Sequence, residues 1–208
     1  MKKLIILPAI LFAISVASHS VAQSVKPRFG ITAGANLTSI GQFESGNVTY
    51  NSDYMFGFRG GVFADLPFTS SFGLMPKVLY SQKGGKVSET VNGTNGQIKV
   101  RTDYIDVPVL LAFKPSPQIT LTAGPQMSFL LSQSTDISVN NTTSPTITDT
   151  KDFRKSIIGG NVGIGYNFNS MVSLNANYMF DFQSMANDNV NQNKARNQGF
   201  GLSLGYSF

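Results

Sequence analysis

The last ten residues of the chain alternate strictly between large apolar side chains and glycine or serine. The large side chains are Phe200, Leu202, Leu204, Tyr206 and Phe208. A period of two predicts a β-strand, because successive side chains of a strand point to opposite faces. Lipid on one face and a crowded interior on the other would produce this distribution, and about ten residues can cross a bilayer at a tilt. The segment therefore predicts a transmembrane strand.

The beginning of the chain has the features of a secretory signal peptide. Residues 1–3 are basic at two positions, residues 4–16 form an apolar run, and residues 20–22 read Ser-Val-Ala, a small-x-small cleavage site. A membrane-anchoring helix is the alternative, but the run is short for a span. We therefore expect a signal peptide over residues 1–22 and a single barrel domain over residues 23–208.

Composition narrows the chemistry that the exported chain could perform. There is no cysteine, and the single histidine, His19, lies in the predicted signal peptide. Ser-His hydrolase arrangements, disulfides and His or Cys metal sites are therefore excluded from the mature chain. The formal charge falls from +5 to +3 when Lys2 and Lys3 leave with the signal, and this mild, scattered charge argues against nucleic acid as a partner. We expect no catalytic residue, cofactor or metal.

The alternating pattern recurs along the chain and predicts eight strands. After the signal, no run of about eighteen apolar residues is available for a helical span, so a chain that crosses the membrane must do so as a closed barrel. The predicted strands cover residues 28–37, 55–66, 72–82, 98–113, 118–132, 157–168, 171–183 and 199–208.

The connections between these strands alternate between long and short. The long ones, rich in Gly, Asn, Ser and Thr, cover residues 38–54, 84–96, 133–155 and 184–198. Outer-membrane barrels show this asymmetry, with short periplasmic turns and long outer loops. The sequence thus predicts an all-β fold, an eight-stranded antiparallel up-and-down transmembrane β-barrel with its long connections outside the cell.

Three charged residues fall on inward faces of neighbouring predicted strands. They are Arg59, Lys77 and Asp106, each about six or seven residues above the periplasmic turns. Because a buried unpaired charge is costly, we expect a charge cluster in the lumen, with Asp106 within about 4 Å of Lys77 or Arg59. Separate hydration of each charge is the alternative. Such a cluster would close the lumen and would argue against a pore.

Three segments carry a resemblance to a known family. They are Tyr-Ile-Asp-Val-Pro-Val-Leu-Leu at residues 104–111, Phe-Gly-Ile-Thr-Ala-Gly-Ala-Asn at residues 29–36, and residues 72–84. In these segments the chain resembles the PorT-like small outer-membrane β-barrel proteins. The resemblance implies an outer-membrane location and no catalytic residue or cofactor. It also allows a role in secretion machinery, to which a few members belong.

These observations favour a non-enzymatic outer-membrane barrel that is structural or binds a protein partner through its outer loops. The five large side chains of the last strand resemble the C-terminal signal read by the barrel-insertion machinery, which would be a partner together with outer-membrane lipid. Small-solute transport or a part in secretion is one alternative, although a barrel of eight strands is just wide enough to be filled by side chains. A soluble lipocalin-like ligand-binding barrel is the other.

Overall fold

The computed structural model describes residues 26–45, 48–91, 94–140, 142–146, 148, 150–151, 153–186 and 195–208. The predicted signal peptide, residues 1–22, lies outside the described residues. In the described part of the chain, no helix is long and apolar enough to span a membrane.

The described residues form eleven strands. They are β1 (Arg28–Ser39), β2 (Gln42–Ser45), β3 (Val48–Asn51), β4 (Asp53–Pro67), β5 (Phe72–Val91), β6 (Thr94–Phe113), β7 (Ile119–Val139), β8 (Thr142–Thr143), β9 (Ser156–Asn167), β10 (Val172–Asp181) and β11 (Gln198–Ser207).

Eight of these strands close into an antiparallel ring. The order is β6-β5-β4-β1-β11-β10-β9-β7, and pairing of β6 with β7 completes the circle. The ring closes the first strand against the last, with Gly30 opposite Ser207 and Ser39 opposite Gln198. The predicted up-and-down barrel is therefore confirmed. The remaining strands are accessory, because β2 and β3 form a separate hairpin and β8 pairs only with β7.

The outer wall of the barrel is apolar and the inner wall is polar or small. On β11, Phe200, Leu202 and Leu204 are each more than half exposed, whereas Ser203 between them is 7% exposed. The same alternation places the large side chains of β1 and β9 outside. An exposed apolar band around a closed ring is the surface that lipid covers in outer-membrane barrels.

Aromatic side chains pair near both ends of this band. At the short-turn end, the rings of Phe72 and Phe113 stack with centroids 4.9 Å apart. At the opposite end, the rings of Tyr178 and Phe200 lie 5.1 Å apart. Aromatic belts of this kind mark the two membrane–water interfaces.

Three strands are much longer than the sequence predicted. β5 and β6 each have 20 residues and β7 has 21, although 9–11 residues cross a bilayer. The prediction of a polar loop at residues 84–96 is wrong, since most of these residues belong to β5 and β6. The start of the predicted loop at residues 133–155 is also a strand, because residues 133–139 belong to β7. Gly and Asn residues suggested turns there. The alternation of inward and outward side chains along β5 nevertheless continues beyond residue 82, since Lys83 and Val87 are both buried on the inward face.

The upper parts of these three strands form a sheet beyond the ring. β4 pairs with β5 only as far as Lys86, and β9 pairs with β7 only as far as Phe129. Beyond those points, β6 continues to pair with β5 up to Val91 and with β7 up to Val139. We call residues 87–91, 94–100 and 134–139 the projecting sheet. It stands at the end of the barrel that carries the long connections.

Candidate functional site in the barrel interior

A buried ion pair lies in the upper lumen. Lys83 Nζ of β5 lies 2.9 Å from Asp106 Oδ1 of β6, and the two side chains are 0% and 1% exposed. The ammonium also donates a hydrogen bond of 3.1 Å to Ser128 Oγ of β7 and lies 5.0 Å from the centroid of the Tyr104 ring. These partners compensate for the loss of water around the charge, which a buried ion pair requires.

This pairing corrects the predicted one. Asp106 was expected to pair with Lys77 or Arg59, and its ion-pair partner is Lys83 instead. The predicted strand ended at residue 82 and the predicted loop began at residue 84, so Lys83 was left outside the inward-facing set. Its position, six residues after Lys77 in the same inward frame, was the signal that could have identified it. In the pairing of β5 with β6, the residue opposite Asp106 is Leu79. Lys83 lies farther along β5, and its long side chain reaches back to Asp106.

Arg59 crosses the lumen from β4 to the far wall. Its guanidinium donates a hydrogen bond through Nη1 to Asn177 Oδ1 of β10, and the residue is only 7% exposed. β1 and β11 separate β4 from β10 in the ring. The crossing passes over Gly201 of β11, where an added Cβ would collide with Nη1 of Arg59. Glycine at this position is what allows the long side chain to span the interior.

Lys77 lies beside Arg59. Both side chains line a cavity of about 10 Å³, and their like charges repel each other. Neither cation is in an ion pair, because the ion pairs of the described residues are Lys83–Asp106 and the two that Asp65 forms. Arg59 interacts electrostatically with Asp106, whose oxygen is bonded to Lys83. Two of the three predicted cluster residues thus share one cavity, and the third is paired elsewhere.

A second charged group closes the end with the short turns. The carboxylate of Asp65, which is 1% exposed, lies 2.7 Å from Arg28 Nη2 and 2.7 Å from Lys114 Nζ. Arg28 begins β1, Asp65 lies near the end of β4, and Lys114 follows β6. This group therefore ties together three parts of the chain at one end of the lumen.

An apolar cluster covers the opposite end of the lumen, and we call it the apolar plug. Its buried members are Ile40, Tyr104, Ile157, Met185 and Ala195, with Leu130 and Phe153 packed against them. Most of these side chains come from the connections between strands rather than from inward strand positions. Sequence patterns missed the members that lie in the connections, since isolated apolar residues in polar connections have no periodicity to detect.

Backbone hydrogen bonds join the connections that supply the plug. Arg196 N donates to Ile40 O at 3.0 Å, Met185 N to Ala195 O at 2.9 Å, and Arg154 N to Met185 O at 2.7 Å. These bonds link the connection after β1, the one before β9 and the one between β10 and β11. The plug is thus held by three connections that are bonded to one another.

The cavities inside the barrel are small. The one near Asp65 and Lys77 measures about 30 Å³, which is room for one or two water molecules, and the one near Arg59 about 10 Å³, which is room for at most one. A larger hollow of about 770 Å³ lies at the barrel wall, where lipid-facing Phe56 and Phe200 and lumen-facing Asn36 and Asn177 all line it.

The interior shows no metal centre in the part of the chain that the structure describes. No three residues among His, Cys, Asp and Glu come together there as metal ligands would. The buried polar side chains are mostly serine, threonine, asparagine and glutamine, together with the charged residues Arg59, Lys83, Asp65, Asp106 and Asp181. Its chemistry is that of charge pairing and hydrogen bonding.

Comparison with protein families gives one match that covers most of the chain. The family described as "Outer membrane protein beta-barrel domain" matches residues 21–187. No curated protein matches the sequence.

Solved structures resemble the chain in fold at low identity. Neisserial surface protein A (NspA) is 14% identical with a TM-score of 0.50, and the match covers 86% of this chain and 97% of that one. The attachment invasion locus protein Ail of Yersinia pestis, solved with the heparin analogue sucrose octasulfate, is 12% identical with a TM-score of 0.48, over 88% and 100%. The outer membrane protease OmpT from Escherichia coli is 9% identical with a TM-score of 0.39, over 91% and 99%. At these identities, the likeness to NspA supports the barrel fold alone.

Proposed function

Because this chain belongs to the outer membrane protein β-barrel domain family and resides in the outer membrane, we propose that it is a sealed barrel that binds a partner through its extracellular part. The observation that carries this proposal is the contrast between its two halves. The lumen is filled with polar and charged side chains, including the buried Lys83–Asp106 pair, and is covered by the apolar plug. The projecting sheet continues for several residues beyond the ring.

The sealed lumen argues against transport. Tyr104, Leu79 and Leu110 are at most 2% exposed, and the two cavities beside Lys77 and Arg59 are about the size of water molecules. A solute would have to displace the Lys83–Asp106 pair and the apolar plug together. Because breaking a buried pair is costly, small-solute transport is the less favoured function.

The projecting sheet is the surface best suited to a partner. Ile98 and Val139 are 46% and 47% exposed, although both lie on the face that continues the inner wall of the barrel. Apolar side chains at a position above the membrane have no lipid to cover them. An exposed sheet with apolar positions is a common place for protein partners to bind.

We also propose the finer assignments that the sequence suggested. A signal peptide over residues 1–22 would deliver the barrel to the envelope, and the last strand would be read by the insertion machinery through Phe200, Leu202, Leu204, Tyr206 and Phe208. The exposed outer position of these five side chains supports that role. The PorT-like resemblance supports a role in secretion machinery as the second candidate. A soluble lipocalin-like barrel is no longer an alternative, given the family and the apolar outer wall.

We further propose that the protein is not an enzyme. The mature sequence would contain neither Cys nor His. Of the buried carboxylates, Asp65 and Asp106 are held in ion pairs, and Asp181 accepts a hydrogen bond from Asn197. A carboxylate that is fixed by a cation inside a filled lumen is poorly placed to meet a substrate. The electrostatic interior therefore supports a structural role for these charges.

Site-specific photo-crosslinking in intact cells tests the binding function. A benzoylphenylalanine residue at position 98 should give one discrete crosslinked product in the native membrane. The same residue in place of Val62, which is 53% exposed on the lipid-facing wall, is the matched control and should give no protein product. Absence of a product from both position 98 and position 139 would contradict binding through the projecting sheet.

A further inference from the structure

The middle of the lumen contains two cations with no carboxylate of their own. Lys77 forms neither an ion pair nor a hydrogen bond with any described residue, and Arg59 bonds only to the neutral amide of Asn177. Asp106, which acts electrostatically on Arg59, is already paired with Lys83, and Asp65 pairs with both Arg28 and Lys114. The region therefore carries an excess of positive charge in a setting where water cannot screen it well.

Two donors at this site also lack an acceptor. Arg59 Nε and Asn177 Nδ2 are fully buried and make no hydrogen bond. Arg59 itself is 7% exposed, so its free N–H cannot be satisfied by bulk solvent. Buried donors without partners are rare in folded proteins, and a charged one is especially costly.

The cations and donors meet at the two lumen cavities. Arg59, Lys77 and Asn177 line the cavity of about 10 Å³, and Lys77 also lines the one of about 30 Å³. The smaller volume is about that of a single water molecule and the larger that of one or two. Among common anions a monatomic ion is closest to this size, whereas a tetrahedral oxyanion such as sulfate is too large.

We propose that the barrel lumen binds a chloride ion between Lys77 and Arg59, with Asn177 Nδ2 as a further donor. The anion balances the excess charge and accepts the hydrogen bonds that the protein leaves unmade. It also explains how two like charges from neighbouring strands, β4 and β5, stay side by side. The ion is a structural component of the lumen that ties together the β4, β5 and β10 walls.

Two measurements on the refolded, full-length barrel test this site. In crystals grown with sodium bromide, an anomalous peak should appear between Lys77 Nζ and the Arg59 guanidinium. In detergent, replacing gluconate with chloride at constant ionic strength should raise the midpoint of thermal unfolding by about 3 °C, because a ligand that binds only the folded state stabilises it. Sulfate at the same ionic strength should give no such increase.

Two variants connect these effects to the proposed site. Lys77→Met should lose both the bromide peak and the chloride dependence, and it should fold because it removes a repulsion from Arg59. Lys86→Met, a change in a strand-paired lysine of β5 that does not line either cavity, should keep both. The proposal is overturned if wild-type protein shows neither effect, or if Lys77→Met retains the chloride dependence of the wild type.

Discussion

Lys83 and Asp106 meet 2.9 Å apart in the lumen, from neighbouring strands, with both side chains shielded from solvent. We predict that Asp106→Asn lowers the free energy of unfolding by about 3–5 kcal/mol, because it leaves the Lys83 ammonium buried without a counter-charge. Urea unfolding of the detergent-refolded barrel measures this loss. Asp53→Asn, at an exposed position at the start of β4, is the matched control and should change stability little.

The same pair gives a second prediction through a double variant. Replacing both partners, as Lys83→Met with Asp106→Leu, should recover most of the stability lost in Asp106→Asn, since an apolar pair of similar volume is often at least as stable as a buried ion pair. The same urea titration provides the comparison. A double variant as unstable as the single one would indicate that the pair stabilises through more than its charges.

An added methyl group should lower the free energy of unfolding more at Gly34 than at Gly201. At Gly34, a Cβ would meet backbone atoms of β11, namely the Leu202 carbonyl oxygen and the Ser203 Cα, which cannot move independently. At Gly201, the obstacle includes the end of the flexible Arg59 side chain. We therefore expect Gly34→Ala to cost about 3 kcal/mol and Gly201→Ala about 1 kcal/mol in urea unfolding. Equal costs would contradict the crossing of Arg59 over Gly201.

The last residue should matter for assembly. Phe208 N donates to Phe29 O at 3.0 Å, and the Phe208 ring is 76% exposed on the outer surface. We predict that deletion of Phe208 reduces the amount of heat-modifiable barrel in the outer membrane, whereas Phe208→Tyr preserves it. Semi-native electrophoresis of membrane fractions gives the readout. Wild-type levels after deletion would eliminate the proposed role of this residue as an assembly signal.

The topology can be checked by proteolysis of intact cells. The connection between β8 and β9 contains exposed residues at positions 144–146 and should lie outside the cell. Externally added proteinase K should therefore cut there before it cuts the short turns at residues 68–71 or 168–171. Mass spectrometry of the fragments identifies the sites. Earlier cutting at the short turns would invert the orientation of the barrel.

The sequence predicted the ring well because lipid imposes a two-residue period on every spanning strand. Thus the inward set of β6, including Tyr104, Asp106 and Leu110, is buried as expected. Prediction failed where the period was interrupted by glycine and asparagine. It ended the strand one residue before Lys83, and so gave Asp106 the wrong partner. Residues of the apolar plug such as Met185 were missed for a different reason, since only tertiary contacts between connections bring them together.

The sealed lumen is the central claim, and conductance in planar bilayers tests it most directly. Wild-type barrel should insert without steady openings, because the apolar plug and the Lys83–Asp106 pair occlude the path. A variant with residues 184–197 replaced by a short Gly-Ser linker removes part of the plug and controls for insertion, since its conductance should exceed that of the wild type. Steady, voltage-independent openings of the wild-type protein would contradict the account.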